Sequence, residues 1–321
     1  MIRPGTRFAR LSSGLLPALV VLACSTGSPA ASPSQAPGST LPLAVSATPS
    51  STQAAAPTPT PAPSVAAADL VYLAMGDSNV YGAWDDCGYP CESYPHLLAK
   101  RLTADTGKSV TLLDESQHNR LDASKLLDEI QRDVWVPVDG FPMRTDGPSP
   151  RAAVAAADLI TLTISANHMP WAADTDPCGA VYDTACIERV EQPFITDLGA
   201  ILSEIQAIRA GKPTAVRVTT QYNDLLAGPD YDPNWPKVAI AQASRTARTF
   251  LDRWNKDLCA TAEQHGASCV DIYHAINGPK GDKPLPSGWF TERYGDLNQG
   301  GQDYFADAIA KAGYAPLTVA P

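Results

Sequence analysis

Residues 70–79 read LVYLAMGDSN and carry the strongest structural signal in the chain. The first six are apolar or aromatic, and a run of this length is typical of a buried β-strand. The next three, Gly76, Asp77 and Ser78, are residue types that form turns. The pattern therefore predicts a strand that ends in a tight turn, with the hydroxyl of Ser78 lifted above the strand end.

Strand and helix patterns alternate along the rest of the chain. Short apolar or β-branched runs predict four more strands, at 110–113, 159–164, 215–219 and 269–272. Apolar residues at helical spacing predict helices at 93–102, 122–133, 190–210, 240–265 and 304–312. Five strands that alternate with helices predict an α/β fold with a parallel, doubly wound sheet. Long loops are expected at 134–158, 168–188, 221–238 and 274–300, and loops that follow strands meet at the carboxyl edge of the sheet, where ligands bind.

Two further motifs follow later strands of this pattern. Thr163-Ile-Ser-Ala-Asn167 ends the third predicted strand, and Asn298-Gln-Gly-Gly301 precedes the last predicted helix. Together with Ala74-Met-Gly-Asp-Ser-Asn79 they resemble, in the same order, three sequence blocks of the SGNH/GDSL hydrolases. The resemblance implies a flavodoxin-like, three-layer α/β/α fold with a five-stranded parallel sheet. It also implies ester hydrolysis through an acyl-serine, with Ser78 as nucleophile and Asn167 as a donor to the oxyanion.

The residues around Ser78 are chemically suited to that role. Gly76 permits a tight backbone, and Asp77 can brace the turn by side-chain-to-backbone hydrogen bonds. Nearby backbone N–H groups and the amide of Asn167 can face the negative charge that develops on an attacked carbonyl, and one such donor is worth about 10²–10³ in rate. The alternative interpretation is that Gly-Asp-Ser is an ordinary turn and that Asn167 only closes a strand.

The last motif departs from the family pattern at its histidine. In the register set by Asn298 and Gly301, Asp296 stands where the catalytic histidine belongs, and Arg293 stands where its orienting aspartate belongs. An exposed aspartate, with a pKa near 3.9, is a poor base for a serine hydroxyl. The identity of the base is therefore open.

Two other histidines are candidate substitutes for this base. His168 follows Asn167 directly, and His274 follows the last predicted strand, so both are expected near the carboxyl edge. The alternative for each is a solvated loop residue. Two functions follow: an active esterase that uses Ser78 with a substitute base, or a catalytically impaired relative that binds a glycan or a lipid in the same cleft.

The N-terminus has the pattern of an export signal. Three arginines in the first ten residues precede an apolar run, 15–23, that is too short to anchor stably across a bilayer. The run ends in Val21-Leu-Ala-Cys24, which resembles the bacterial lipobox. Residues 1–24 are therefore predicted to be a lipoprotein signal with lipidation at Cys24. An ordinary secretory signal is the alternative, and either one exports the protein to the cell surface or beyond.

Residues 25–67 have the composition of a linker. They contain no charged residue and nine prolines among Ser, Thr, Ala and Gly. Such a segment cannot repay the loss of chain entropy by burying apolar surface, so we predict that it is disordered. Residues 68–321 are then the folded, SGNH hydrolase-type domain.

Six cysteines remain besides Cys24. In an oxidising compartment they suggest three disulfides, for which fifteen connectivities are possible. The simplest is the local pairing Cys87–Cys91, Cys178–Cys186 and Cys259–Cys269. Zinc is the alternative for Cys87 and Cys91, but no second Cys/His pair with finger-like spacing follows them. We therefore expect no metal site and no cofactor.

The charge of the chain limits its partners. With 24 basic and 34 acidic residues the formal net charge is −10, and every acidic residue lies at or after Asp69. Such a surface disfavours nucleic acid. We expect a monomer that acts on a small-molecule or glycan ester and contacts the membrane through the N-terminal lipid. Aromatic residues in the predicted loops are expected either to line an acyl or sugar site or to pack within the loops; they include Trp171, Tyr182 and Tyr222.

Overall fold

Five parallel strands form the central sheet, in the spatial order β2-β1-β3-β4-β5. They are β1 (Leu70–Gly76), β2 (Val110–Ser116), β3 (Leu159–Thr163), β4 (Ala215–Thr219) and β5 (Ser268–Val270). This is the flavodoxin-like order, in which the loops after the strands share one carboxyl edge. The register pairs Gly76 at the end of β1 with Thr163 at the end of β3. The predicted α/β fold with a five-stranded parallel sheet is confirmed.

The computed structural model describes residues 70–81, 92–117, 121–136, 147–172, 177–179, 181–226, 237–286, 289 and 297–317, and of residues 81, 172 and 237–246 it describes the backbone alone. Helices flank the sheet: α1 (Ser78–Tyr81), α2 (Tyr94–Thr106), α3 (Ala123–Arg132), α4 (Pro150–Ala156), α5 (Thr184–Arg209), α6 (Lys237–Gln264), α7 (Ile272–Asn277) and α8 (Gln299–Lys311).

Side chains of β1 alternate between two cores because successive residues of a strand face opposite sides of the sheet. Leu73 and Met75 lie in the core that α3, α4, α5 and α6 cover. Tyr72 and Ala74 lie in the core on the other side, with residues of α2, α7 and α8. All four side chains are fully buried. The sheet is therefore the middle of three layers, and its carboxyl edge is left to the loops.

Buried hydroxyl groups join β3 to its neighbouring strands and to α2. The hydroxyl of Tyr72 lies 2.8 Å from Thr161 Oγ1, and that of Tyr94 lies 2.9 Å from Thr163 Oγ1. Thr219 Oγ1 donates to Thr163 Oγ1 at 2.8 Å. A hydroxyl group that is buried without a partner destabilises the fold, so these bonds allow polar side chains inside the sheet.

Two short helices lie where the sequence predicts loops. Helix α4 falls within the predicted loop 134–158; it starts with a proline and is mostly alanine, so it lacks the apolar spacing that marks a helix in the sequence. Helix α7 is six residues long and begins directly after Asp271. His274 therefore lies in a helix and does not start a loop.

Two cysteine pairs are brought to disulfide distance. The Cα atoms of Cys178 and Cys186 are 5.6 Å apart, and those of Cys259 and Cys269 are 5.2 Å apart, as in the local pairing. The third pair, Cys87 and Cys91, lies outside the described residues, as does Cys24. Within the described ranges no helix is long and apolar enough to cross a bilayer. The same part of the chain has no group of three His, Cys, Asp or Glu residues that could hold a metal ion.

Candidate active site

The turn after β1 places Ser78 at the carboxyl edge. Gly76 has φ 155°, and a Cβ atom there would clash with the carbonyl oxygen of Thr163 and with Val80, so the position requires glycine. Asp77 N–H donates to the same Thr163 oxygen at 3.0 Å. Ser78 then starts α1 and is half-buried. Strand β1 lies between β2 and β3, so this serine follows an interior strand of the sheet.

Asp77 ties this turn to the loop after β3. Its side chain is completely buried, and its carboxylate accepts the backbone N–H groups of Asn79 at 3.1 Å and of Ser165 and Ala166 at 3.2 Å each. Burial raises the pKa of the Asp77 carboxyl to about 6, although the three N–H donors act in the opposite direction. Asp77 thus braces its own turn, and it also fixes the position of a second loop beside Ser78.

That second loop carries Asn167. Residues Ala166–His168 form one 3-10 turn, and Asn167 Nδ2 donates to the carbonyl oxygen of Leu121 at 2.8 Å. An amide NH₂ group has two hydrogens, so one bond fixes the group and leaves a second hydrogen for another acceptor. The sequence motifs that contain Ser78 and Asn167 are therefore brought to one edge and linked through Asp77.

His168 is held in a structural contact. Its Nε2 accepts the backbone N–H of Ala123, the first residue of α3, at 2.8 Å. Its ring lies against Phe194 of α5, with ring centroids 4.8 Å apart. Burial lowers the pKa of His168 to about 4; Asp122 opposes this shift and Lys125 adds to it. The nitrogen that would take a proton from Ser78 is therefore already bound to another group.

His274 is placed at the outer end of the same edge. Its Nδ1 lies 2.8 Å from Asp271 Oδ2, and both side chains are exposed to solvent. Strands β3 and β4 separate β5 from β1, so the strand that precedes His274 is about 14 Å from the strand that precedes Ser78. The structure does not bring His274 to Ser78.

The other described histidines do not supply a base for Ser78 either. His96 Nδ1 lies 2.8 Å from Ser93 Oγ, and His265 Nδ1 lies 3.4 Å from Ser203 Oγ. His118, Asp296 and Arg293 lie outside the described residues. Among the residues that the structure does describe, no histidine is hydrogen-bonded to Ser78.

The third motif has a structural role that is visible at α8. Asn298 caps this helix, with its Oδ1 accepting the N–H groups of Gly300 at 3.0 Å and Gly301 at 3.4 Å. A Cβ atom at Gly301 would press on the carbonyl oxygen of Trp289. Asn298 thus serves as a helix cap, and glycine at 301 leaves room for the backbone at residue 289.

Two supporting contacts were not predicted from the sequence. Trp254 of α6 donates its indole N–H to Ser165 Oγ at 2.9 Å, and the hydroxyl of Tyr222 donates to Asn79 Oδ1 at 2.9 Å. Both side chains are buried; Tyr222 anchors the residue after Ser78, and Trp254 anchors the loop that carries Asn167. Trp254 has the spacing of a helix core residue, so its sequence pattern carries no sign of this second role.

Three loop aromatics pack into the protein. Trp171, Tyr182 and Tyr222 are buried, and Trp171 also donates its indole N–H to Asp224 at 2.9 Å. Burial raises the pKa of the Asp224 carboxyl to about 6. Of the two roles expected for these aromatics, packing within the loops is the one that the structure shows.

Comparison with known proteins identifies the family. The model of the GDSL-like lipase/acylhydrolase family matches residues 74–289, which is more than half of the 321 residues. The match includes Ser78 and Asn167 and stops before Asp296. A search of curated proteins gave no match.

Solved structures share the fold. A lipase from a goat rumen metagenome superposes with a TM-score of 0.57 at 17% identity, over 78% of this chain and 100% of that one. An extracellular lipase from Streptomyces rimosus superposes with a TM-score of 0.50, also at 17% identity, over 76% of this chain and 99% of that one. At 17% identity these two structures support the fold alone. The family model matches more than half of the chain, and by that match this chain belongs to the GDSL-like lipase/acylhydrolase family.

Proposed function

We propose that this protein hydrolyses carboxylic esters with Ser78 as its nucleophile. The observation that carries the proposal is the buried carboxylate of Asp77, which binds the turn that presents Ser78 to the loop that presents Asn167. A nucleophile and an oxyanion donor must be held in one geometry to act together, and this contact supplies such a constraint.

The reaction would follow the acyl-serine route. Ser78 Oγ attacks the ester carbonyl, its proton passes to a base, and the second hydrogen of Asn167 Nδ2 stabilises the oxyanion. Collapse of this intermediate expels the alcohol, which takes the proton from the base. Water then attacks the acyl-serine, and the acid leaves as Ser78 regains its proton.

For the base we propose Asp296, which stands at the position of the family's histidine. A carboxylate is a weaker base than imidazole, so this choice predicts slow turnover at neutral pH. The positions of the described histidines support it, because His168 is bound to Ala123 and His274 is paired with Asp271.

The same observation favours a second candidate function. If Asp296 does not serve as a base, the chain is a catalytically impaired relative that binds a glycan or a lipid at the carboxyl edge. Serine hydrolases that lack one member of their catalytic group keep roughly 10³–10⁴ of rate over water, so the two functions differ by orders of magnitude in turnover.

For the substrate we propose a short-chain or glycan O-acyl ester met outside the cell. Two cysteine pairs at disulfide distance support an oxidising compartment. We further propose that Cys24 carries the lipid anchor. Loss of radiolabelled palmitate from the Cys24→Ser protein would test that anchor directly.

The decisive experiment measures hydrolysis of p-nitrophenyl acetate by the full chain, purified from an exporting bacterial host. We expect slow turnover in the wild type, a loss of at least 10²-fold in Ser78→Ala, and a gain in Asp296→His. Ser203→Ala, an exposed helical serine far along the sequence, is the matched control and is expected to change nothing. Turnover that is unchanged in Ser78→Ala would exclude Ser78 as nucleophile. A silent wild type with an active Asp296→His would support the binding function instead.

A further inference from the structure

Asn167 and His168 are adjacent in sequence and both contact the start of α3. Asn167 Nδ2 donates to Leu121 O, and two residues later the N–H of Ala123 donates to His168 Nε2, each at 2.8 Å. Neighbouring side chains point apart on an extended strand, but the 3-10 turn directs these two to the same segment. We call this pair of hydrogen bonds the α3 clamp.

We propose that His168 is a positioning residue: its imidazole holds the first turn of α3, and that turn fixes the direction of the Asn167 amide. The inference rests on the proposed function, in which the second hydrogen of Asn167 Nδ2 meets the oxyanion. The position of Leu121 O sets the direction of this second hydrogen, because the first hydrogen of the same amide is bound to that oxygen. Leu121 in turn lies two residues before the N–H that His168 holds.

The backbone chemistry of α3 explains why an acceptor is needed there. The first N–H groups of a helix have no partner within the helix. Asp122, the N-cap residue, accepts the N–H of Lys125 at 2.8 Å, which leaves the N–H of Ala123 to another group. His168 Nε2 is that group. Since Nε2 accepts a hydrogen bond, the ring is neutral and carries its proton on Nδ1.

The surroundings of the ring keep it neutral. Phe194 of α5 and Trp254 of α6 pack beside it, with ring centroids 4.8 Å and 6.3 Å away. The charged groups that face this region are Asp122 and Lys125 at α3 and, next to Asp122, Asp197 of α5. A protonated ring would direct an N–H group at the N–H of Ala123, and the α3 clamp would open at that point.

Two substitutions separate the acceptor from the rest of the ring. His168→Leu removes the acceptor, whereas His168→Gln offers Oε1 in its place and does not titrate. In the full chain labelled with ¹⁵N-alanine and ¹⁵N-asparagine, we expect His168→Leu to speed hydrogen exchange at the Ala123 amide and at the Asn167 side-chain amide at least tenfold. His168→Gln is expected to stay within threefold of the wild type at both.

Kinetics with p-nitrophenyl acetate provide the second readout. We expect His168→Leu to lower kcat about tenfold with KM within twofold, and His168→Gln to recover kcat to within threefold. Exchange at Asn167 that is unchanged in His168→Leu overturns the inference, and so does faster exchange with an unchanged kcat. If the wild type shows no turnover, the proposed function fails, and the exchange of the Asn167 amide still decides whether His168 positions it.

A third measurement needs no variant and covers the case in which His168→Leu does not fold. As the pH of the wild-type protein is lowered, exchange at Ala123 and Asn167, corrected for its intrinsic pH dependence, should rise in step with protonation of His168 Nε2. Exchange that rises without that protonation, or protonation without faster exchange, contradicts the α3 clamp.

Discussion

Asp77 and Asp271 each directly follow a strand of the sheet, but their surroundings in the folded protein are very different. Each accepts a backbone N–H from the turn that comes next, at 3.1 Å from Asn79 and at 3.0 Å from His274. Asp77 follows the interior strand β1 and is completely buried, whereas Asp271 follows edge strand β5 and its side chain is 56% exposed. Only the buried carboxylate also binds a second loop.

The two histidines at the same edge differ in the same way. His168 stands beside the central strands as a neutral acceptor among aromatic rings, and His274 stands at the edge strand as the solvated partner of a carboxylate. Polar groups at the inner part of the carboxyl edge are thus buried and depend on protein partners for their hydrogen bonds. Polar groups at its outer end are exposed, so water can replace their partners. Substitutions at the two places should therefore differ sharply in effect.

The largest difference is expected between two glycines. Gly76→Ala would drive a Cβ atom into the backbone oxygen of Thr163, and we expect it to lower the free energy of unfolding by more than about 4 kcal/mol. Gly107→Ala also places alanine at positive φ, 69°, but in open space, and should cost about 1 kcal/mol. Urea denaturation of both proteins checks this. Equal losses of unfolding free energy in the two proteins would mean that the backbone around Gly76 shifts to admit the Cβ atom at little cost.

Removal of the two carboxylates should give the next largest contrast. Asp77→Ala leaves three buried or half-buried N–H groups without their acceptor, which should cost about 3–5 kcal/mol. Asp271→Ala removes an exposed helix cap and should cost about 1 kcal/mol. Asp77→Asn keeps one acceptor oxygen and should fall between them. If Asp77→Ala were no worse than Asp271→Ala by urea denaturation, burial would not be what separates the two sites.

The pH dependence of stability should report on His168. Its folded pKa of about 4 lies below the ordinary 6.5, so the unfolded chain binds more protons between these values, and stability falls as the pH drops from 6.5 to 4. The loss amounts to roughly 3 kcal/mol for a shift of this size. Asp77 and Asp224, whose pKa values are raised to about 6, have the opposite sign: their contribution is lost as the pH rises through 6.

The His168→Gln protein isolates the histidine contribution because both acids are unchanged in it. The unfolding free energy of the wild type minus that of His168→Gln should therefore be lower by roughly 3 kcal/mol at pH 4 than at pH 7. A difference that is constant over this range would show that His168 is not held neutral in the folded protein.

The smallest effect is expected at the outer end of the edge. His274→Ala breaks an exposed pair with Asp271 and should change stability by less than about 0.5 kcal/mol. Hydrolysis of p-nitrophenyl acetate should stay within twofold of the wild type. A loss of tenfold or more in kcat would place His274 in the active site after all and would remove the contrast with His168.

The sequence predicts the sheet well because buried strands leave a compositional trace. The runs at 70–75 and 159–164 are apolar or β-branched, and each appears as an interior strand. The turn at Gly76 follows from the residue types at the strand end, whereas the bond from Asp77 to the loop that carries Asn167 spans 88 residues and was not predicted. Short elements such as α4 and α7 leave no such trace, because fewer than two or three helical turns show no period.

The roles of the two histidines could not be predicted from the sequence. The hydrogen bond between His168 and Ala123 spans 45 residues, and the one between Trp254 and Ser165 spans 89. No local sequence pattern therefore predicts either bond. The sequence places both histidines near an edge; tertiary packing decides which nitrogen is free and how far each ring lies from Ser78.

The bond from Asp77 to Ser165 has a consequence for the order of folding. It closes a loop of 88 residues, so the turn that carries Ser78 cannot take its final form before β3 has docked beside β1. A nascent or truncated chain that ends before residue 159 lacks the partner altogether. Esterase competence, on the proposed function, is therefore gained late in folding, and fragments released during synthesis or proteolysis carry the Gly-Asp-Ser sequence without its chemistry.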